Sequence, residues 1–255
     1  MTKRTIIANW KMNPVSLKEA RAIFNAIKKA AVGMKKIETV VCPPFVYLNE
    51  LKQKGKGVKT GAQDIFWDDK KTSYTGEVSA GMLKDAGVKY VIIGHSERRE
   101  YLKETNETIN KKIKTALKNG FKVVFCVGER SRAGGEDYLS FIRKEIEEGL
   151  RGVPRKFFKN LLIAYEPVWA IGKKASEADT PEDVLQMSIY MRRIILPFAG
   201  RDLARHFPVL YGGSVNQRNA EGFLRDAGIQ GLLIGRESLI PGNFGEILKI
   251  AEQIK

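Results

Sequence analysis

The feature that most limits this chain is a repeat of kind rather than of residues. A short apolar, β-branched run is followed by a helical period, and the pattern recurs eight times. Strands are expected at 5–10, 40–42, 58–63, 90–95, 122–128, 161–166, 208–211 and 231–235. Helices are expected at 17–31, where Ala20, Ile23, Phe24 and Ile27 share a face, and at 46–51, 79–86, 105–119 and 136–148. Two more start at Thr180 and Phe244; at the first, Thr180-Pro181-Glu182-Asp183 unites a capping threonine, a first-turn proline and acids. Continuously apolar strands between amphipathic helices imply a parallel sheet covered by helices, the α/β class. Eight such units in 255 residues fit a closed (β/α)8 barrel. The rival is an open, doubly wound sheet, but no Gly-x-Gly-x-x-Gly turn follows the first strand. Without a linker or a composition shift, 1–255 reads as a single domain.

Composition removes several classes of function. Hydrophobic residues make up 43% of the chain, enough for a core, so disorder is excluded for most of it. No apolar run approaches the ~18–20 residues that span a bilayer, and the run after Met1-Thr2-Lys3-Arg4 is too short for a signal-peptide core. No membrane association is expected. Cys42 and Cys126 have no metal-ligand spacing and suit a reducing, cytoplasmic location. The charge of +15 favours an anionic partner, either nucleic acid or a phosphorylated metabolite. The lysines are dispersed, however. Lys52, Lys54, Lys56 and Lys59 lie in one segment, and Lys111, Lys112, Lys114 and Lys118 fall mostly on the polar positions of a helix. No aromatic residues interleave with them as a single-strand binder needs, so no specific nucleic acid is expected.

In such a barrel the active site forms at the carboxyl ends of the strands. Those ends carry Asn9 and Lys11, His95, Glu166, the turn Gly212-Gly213-Ser214, and Gly235. Each has an ordinary explanation alone, as a turn residue, a surface lysine or a packed histidine. Together they place an amide, a cation, an imidazole, a carboxylate and two glycine-rich loops around one mouth. The two loops can turn backbone N–H groups onto a phosphate. Glu166 ends an apolar strand and is followed by Pro167, Trp169 and Gly172, the pattern of an acid at a strand tip with a cover beyond it. With no metal-ligand set, no nucleophile beside a base and no cofactor fingerprint, neither a metal nor a cofactor is expected. A base and hydrogen-bond donors beside a phosphate grip suit proton abstraction next to a carbonyl, with the enediolate held by hydrogen bonds.

These residues resemble the triosephosphate isomerase family from end to end. The resemblance is carried by Asn9-Trp10-Lys11-Met12-Asn13, Gly61-Ala62-Gln63, Tyr74-Thr75-Gly76-Glu77-Val78-Ser79 and Gly94-His95-Ser96-Glu97-Arg98-Arg99. Cys126-Val127-Gly128-Glu129, the run from Tyr165 to Gly172, and Tyr211-Gly212-Gly213-Ser214-Val215 complete it. It implies a TIM barrel that interconverts dihydroxyacetone phosphate and D-glyceraldehyde 3-phosphate without a cofactor. The family is the standard case of a glutamate base facing a neutral imidazole, so the roles of Glu166 and His95 come from the resemblance. Lys11 would stabilise negative charge and Asn9 would bind a substrate oxygen. Glu97 would belong to the catalytic set as the partner of Lys11, a proton-shuttling role being left open, or would serve as a helix-start acid beside the local dipole. Residues 167–176 would form a lid in which Pro167, Trp169 and Ile171 move and the Gly172 N–H reaches the phosphate. Ser96 and Glu129 would hold Glu166 and Trp169 in the open state; Tyr211 and Ser214 would latch the closed one. Cys126 reads as packing rather than a nucleophile. Thr75 would reach the Asn9 and Glu97 of a second subunit, and Glu77 its Arg98, implying an obligate homodimer.

Two places depart from the family. Lys173-Lys174-Ala175-Ser176-Glu177-Ala178-Asp179 replaces a Thr-Gly-Lys-Thr-Ala hinge, which implies an altered lid-opening rate. Gly235-Arg236-Glu237-Ser238-Leu239 replaces Gly-Gly-Ala-Ser-Leu. Arg236 can still offer its backbone N–H to the phosphate, while its side chain is either solvated or an added charge. Two other functions remain open from the residues alone. One is another phosphate-gripping (β/α)8 isomerase, and the other a basic nucleic-acid-binding protein.

Overall fold

Eight parallel strands pair in chain order and close on themselves, β8 hydrogen-bonding back to β1. The computed structural model describes residues 3–52, 57–69, 73–132, 137–170 and 179–254. The strands are β1 Arg4–Asn9, β2 Ile37–Cys42, β3 Lys59–Ala62, β4 Tyr90–Ile93, β5 Lys122–Val127, β6 Leu161–Tyr165, β7 Val209–Tyr211 and β8 Gly231–Ile234. Between and after them run α1 Leu17–Ala30, α2 Ala80–Asp85, α3 Ser96–Tyr101, α4 Asn106–Lys118, α5 Tyr138–Leu150, α6 Pro181–Ala199, α7 Arg201–Arg205, α8 Ala220–Asp226 and α9 Pro241–Gln253. The expected strands are all present, and the fold is a closed (β/α)8 barrel.

The strands divide their side chains by the two-residue period. Ile7, Val40, Cys42, Ile92, Val124, Cys126, Leu162, Ala164, Leu210 and Leu233 form one cluster, the barrel interior. The alternate residues, among them Ile6, Ala8, Val123, Phe125, Ile163 and Leu232, pack with the apolar stripes of the helices. On α1 that stripe is the expected Ala20, Ile23, Phe24 and Ile27. Helix starts are fixed by side-chain caps: Ser16, Ser79, Thr105 and Thr180 each accept the N–H three residues on. Each cap stabilises its helix by about 1 kcal/mol.

Four local expectations change. The helix expected at 46–51 is a single 3₁₀ turn, Phe45–Tyr47, because Pro43-Pro44 and a short span leave no room for a second turn. The helix expected at 136–148 runs instead as Tyr138–Leu150, capped by Asp137. The last helix starts at Pro241, which takes the first-turn position where a missing N–H costs nothing. Lys112 is not on a solvated face. It is buried and donates to Asp64 at 2.9 and 2.6 Å and to Glu104 at 2.5 Å, because an ammonium taken out of water needs carboxylates around it. Lys54 and Lys56 lie outside the described residues.

Candidate active site

The parity that builds the interior also aims the site. Asn9 continues the inward series of Ile7, and Glu166 continues that of Leu162 and Ala164 one step past the end of β6. Both are buried, 5% and 2% exposed, at the mouth of a cavity of about 460 Å³. His95 does not follow parity. Gly94 ends β4 with φ +78°, a conformation that side chains other than glycine's rarely adopt, and this turn points the imidazole back over the mouth. Gly212 makes room on the other side, since a Cβ there would lie 2.9 Å from Glu166 Cγ.

His95 also caps α3. The Glu97 N–H donates to its Nδ1 at 3.2 Å, which leaves the ring proton on Nε2. That Nε2 lies 3.3 Å from Glu166 Oε1. The other oxygen, Oε2, accepts the Ser96 N–H at 3.1 Å. The Cys126 thiol sits beside the same carboxylate; burial first, and the charge of Glu166 second, push it well above its ordinary range. A thiol held neutral in that way packs and does not attack.

Lys11 adopts φ +53°, and its neighbours show why this is tolerated. Its N–H donates to Asn9 Oδ1 at 3.1 Å, and its carbonyl accepts the Gln63 side-chain amide at 2.8 Å. Gln63 binds the Cys42 carbonyl at 2.9 Å with the same nitrogen. The Lys11 ammonium forms an ion pair with Glu97, which therefore holds both places open to it, in the first turn of α3 and against Lys11.

Beyond Glu166, Pro167 is buried and Trp169 half-buried. The indole N–H of Trp169 donates to Glu129 Oε1 at 2.9 Å; the Tyr165 hydroxyl and Arg132 Nε reach that same oxygen at 2.8 Å. Arg132 also lies 4.9 Å over the Trp169 ring. Ile171, Gly172 and the hinge substitutions at 173–178 lie outside the described residues. Ser214, Gly235 and Arg236 line the cavity opposite His95, whereas Tyr211 is buried against Phe223. Thr75 and Glu77 are exposed, and Arg98 pairs with Asp64 and Glu104 of its own chain, both at 2.8 Å.

Three residues with structural access to the site had no role from sequence: Gln63, Arg99 and Arg132. Gln63 stands at the tip of the third strand, so the rule that found Asn9 and Glu166 would have found it too. Arg99 and Arg132 reach across to Glu145 and Tyr165 as well as to near neighbours, and those long-range partners left no local signal. Among the described residues no group of three or more His, Cys, Asp or Glu side chains is arranged to hold a metal ion, and no helix is long and apolar enough to cross a membrane.

Comparison with known proteins bears on this arrangement. A family model described as triosephosphate isomerase matches residues 4–251. The triosephosphate isomerase of Alkaliphilus oremlandii is 41% identical over 243 residues, covering 94% of this chain and 96% of that one. The triosephosphate isomerase of Dictyoglomus thermophilum is 41% identical over 255 residues, with 98% and 100% covered. That of Caldanaerobacter subterraneus subsp. tengcongensis is 41% identical over 251 residues, with 96% and 99% covered.

Proposed function

The chain belongs to the triosephosphate isomerase family, and on that premise we propose how its own residues interconvert dihydroxyacetone phosphate and D-glyceraldehyde 3-phosphate. Glu166 takes the proton from the carbon beside the carbonyl and returns it to the neighbouring carbon. His95 donates its Nε2 proton to the carbonyl oxygen as the enediolate forms, and recovers one from the other oxygen. Lys11 stabilises the developing negative charge, and Asn9 binds a substrate oxygen. The single observation that carries this reading is the 3.3 Å approach of His95 Nε2 to Glu166 across the cavity mouth. Ser96 and Glu129 hold Glu166 and Trp169, the contacts of the proposed open state.

The phosphate is gripped by the Gly212–Ser214 turn and by Gly235-Arg236 at the start of the 3₁₀ turn Arg236–Leu239. The +15 charge steers an anionic triose phosphate and serves no specific nucleic acid. Two copies associate through the loop around Thr75. Met12, Val15, Val46, Met82, Tyr101 and Leu102 support this, because these large exposed apolar side chains all lie on the connections that follow β1 to β4. We place the enzyme in the cytoplasm, where two buried free cysteines stay reduced.

A coupled assay for glyceraldehyde 3-phosphate formation tests the assignment. Glu166→Gln is expected to fold and to lose roughly a thousandfold in kcat, the scale of general-base catalysis. A Gln variant that turns over at the native rate would remove Glu166 as the base.

A further inference from the structure

Glu145 lies on α5, outside the barrel and away from the cavity, yet it is only 3% exposed. One carboxylate oxygen is 3.0 Å from Arg99 Nη1, and the other accepts the Gly128 N–H at 3.0 Å. Arg99 spends its remaining donors on backbone and on α4. Its Nε donates to the Gly94 carbonyl at 2.7 Å, its Nη2 to the Cys126 carbonyl at 3.3 Å, and its Nη1 to Asn106 Oδ1 at 2.6 Å. One partly buried guanidinium thus joins the residue before His95 to the top of β5.

Gly128 in turn leans on Glu166. A Cβ at position 128 would lie 1.9 Å from the Glu166 carbonyl oxygen, so the two backbones are in direct contact. The Glu166 N–H donates to the Val127 carbonyl at 2.8 Å, and the Val168 N–H to that of Glu129 at 3.0 Å. Residues 127–129 therefore carry residues 166–168, and Glu145 anchors the middle of the first stretch from behind.

We propose that Glu145 and Arg99 are positioning residues for the reaction, setting the approach of His95 to Glu166 through Gly94, Cys126 and Gly128 without touching substrate. The proposal rests on the catalytic reading of Glu166 and His95 given above. A buried ion pair retained only for folding is commonly replaceable by apolar side chains of similar volume. One that aims two backbone turns is not, because each of its oxygens and nitrogens has a separate acceptor or donor to hold.

The charge state of Glu145 gives the test its handle. Burial raises its carboxyl to about 7, against the lowering effect of Arg99 and the Gly128 N–H, while Glu166 and Glu129 push it up as well. Arg130, Glu100 and Glu104 face the same place around a cavity of about 220 Å³ that reaches Glu145. Protonated, the carboxyl loses its charge, becomes a donor at one oxygen and accepts only weakly there, so one of its bonds to Arg99 and Gly128 is weakened. The grip loosens as pH falls through that value.

Steady-state kinetics of Glu145→Gln and Arg99→Lys across the neutral range are the experiment. Both are expected to lower kcat by about tenfold to a hundredfold, the cost of misplacing a reacting group by about an ångström. The KM for triose phosphate should stay near native. The native acid limb of kcat near pH 7 should be missing from Glu145→Gln, which sits at the low level throughout. Native kcat with an intact limb in the Gln variant overturns the proposal, and so does a loss confined to KM. Should Glu145→Gln not fold, the decision passes to Arg99→Lys and to the Gly128 amide resonance of the unaltered enzyme. That resonance is expected to shift through about pH 7, and a signal flat with pH overturns the proposal. Glu166→Gln separates the two readings: inactive Glu166→Gln beside native-like Glu145→Gln removes only the positioning role, whereas active Glu166→Gln removes the base.

Discussion

The connections after β1 to β4 and those after β5 to β8 border one cavity but are built in different ways. The first four carry Asn9, Lys11 and His95, and each is tied to its own chain before any ligand arrives: Asn9 to the Lys11 N–H, Lys11 to Glu97 and Gln63, His95 to the Glu97 N–H. Their flanks are apolar and bare, with Met12 92% exposed, Val15 93% and Val46 77%. The second four carry the proposed base, Glu166, and offer the glycine-bearing turns Gly212-Gly213-Ser214 and Gly235-Arg236. Among the described residues, none of the connections from β5, β6 or β7 to the next helix exposes a large apolar side chain. The charged half is thus preorganised by side chains, and the proposed dimer would cover its bare flank. The glycine half presents main chain, and in the proposed reading its turns at 213–214 and 235–236 meet the phosphate.

If this division holds, substitutions in the two halves differ in kind and in size. The largest effect belongs to Lys11→Met, which removes a charge from the preorganised half. It is expected to lower kcat/KM by roughly a hundredfold to a thousandfold, the scale for losing one electrostatic stabiliser of a developing oxyanion. Steady-state kinetics at constant ionic strength measures it, and a loss of only twofold would place the chemistry elsewhere. Next comes Val46→Asp, on the 3₁₀ turn Phe45–Tyr47, which puts a carboxylate into the bare apolar flank. The proposed dimer should weaken by roughly 2–3 kcal/mol, about thirtyfold to a hundred-and-fiftyfold in its dissociation constant. Sedimentation over a dilution series, read with specific activity, gives the answer. An unchanged sedimentation profile would make the apolar flank an accident and end the comparison on that side.

How far this was legible in the sequence follows the range of the forces involved. Most of the strands were legible because burial on both faces writes them as apolar runs, as in β4, β6 and β8; β3, Lys59-Thr60-Gly61-Ala62, is the exception. Asn9, His95 and Glu166 were legible because a barrel concentrates function at strand tips, whatever the loops do. The helices α3, α7 and α8 were not expected; five to seven residues carry little helical period, although α2, six residues long, was expected. Lys112 was misplaced because its burial depends on Asp64 and Glu104, whose approach no helical pattern announces. Arg99 and Glu145 stayed silent for a similar reason. They act on the site through backbone groups of Gly94, Cys126 and Gly128, and backbone carries no sequence signature.

The smallest expected effect is the sharpest test of the glycine half. Arg236 stands where the family's second loop glycine is usual, lines the cavity and is exposed to solvent. If main-chain N–H groups hold the phosphate, Arg236→Ala keeps them and should leave kcat unchanged. The guanidinium then contributes only long-range attraction across water, which salt screens over about 8 Å at physiological ionic strength. KM is expected to rise roughly twofold to fivefold at low salt, as for an exposed charge pair worth at most about 1 kcal/mol, and to converge on the native value as salt is added. A KM that does not move at any salt concentration assigns the side chain to solvent alone. A fall in kcat would mean instead that a side chain, and not the main chain, holds the phosphate here, and the contrast between the halves would fail at this loop.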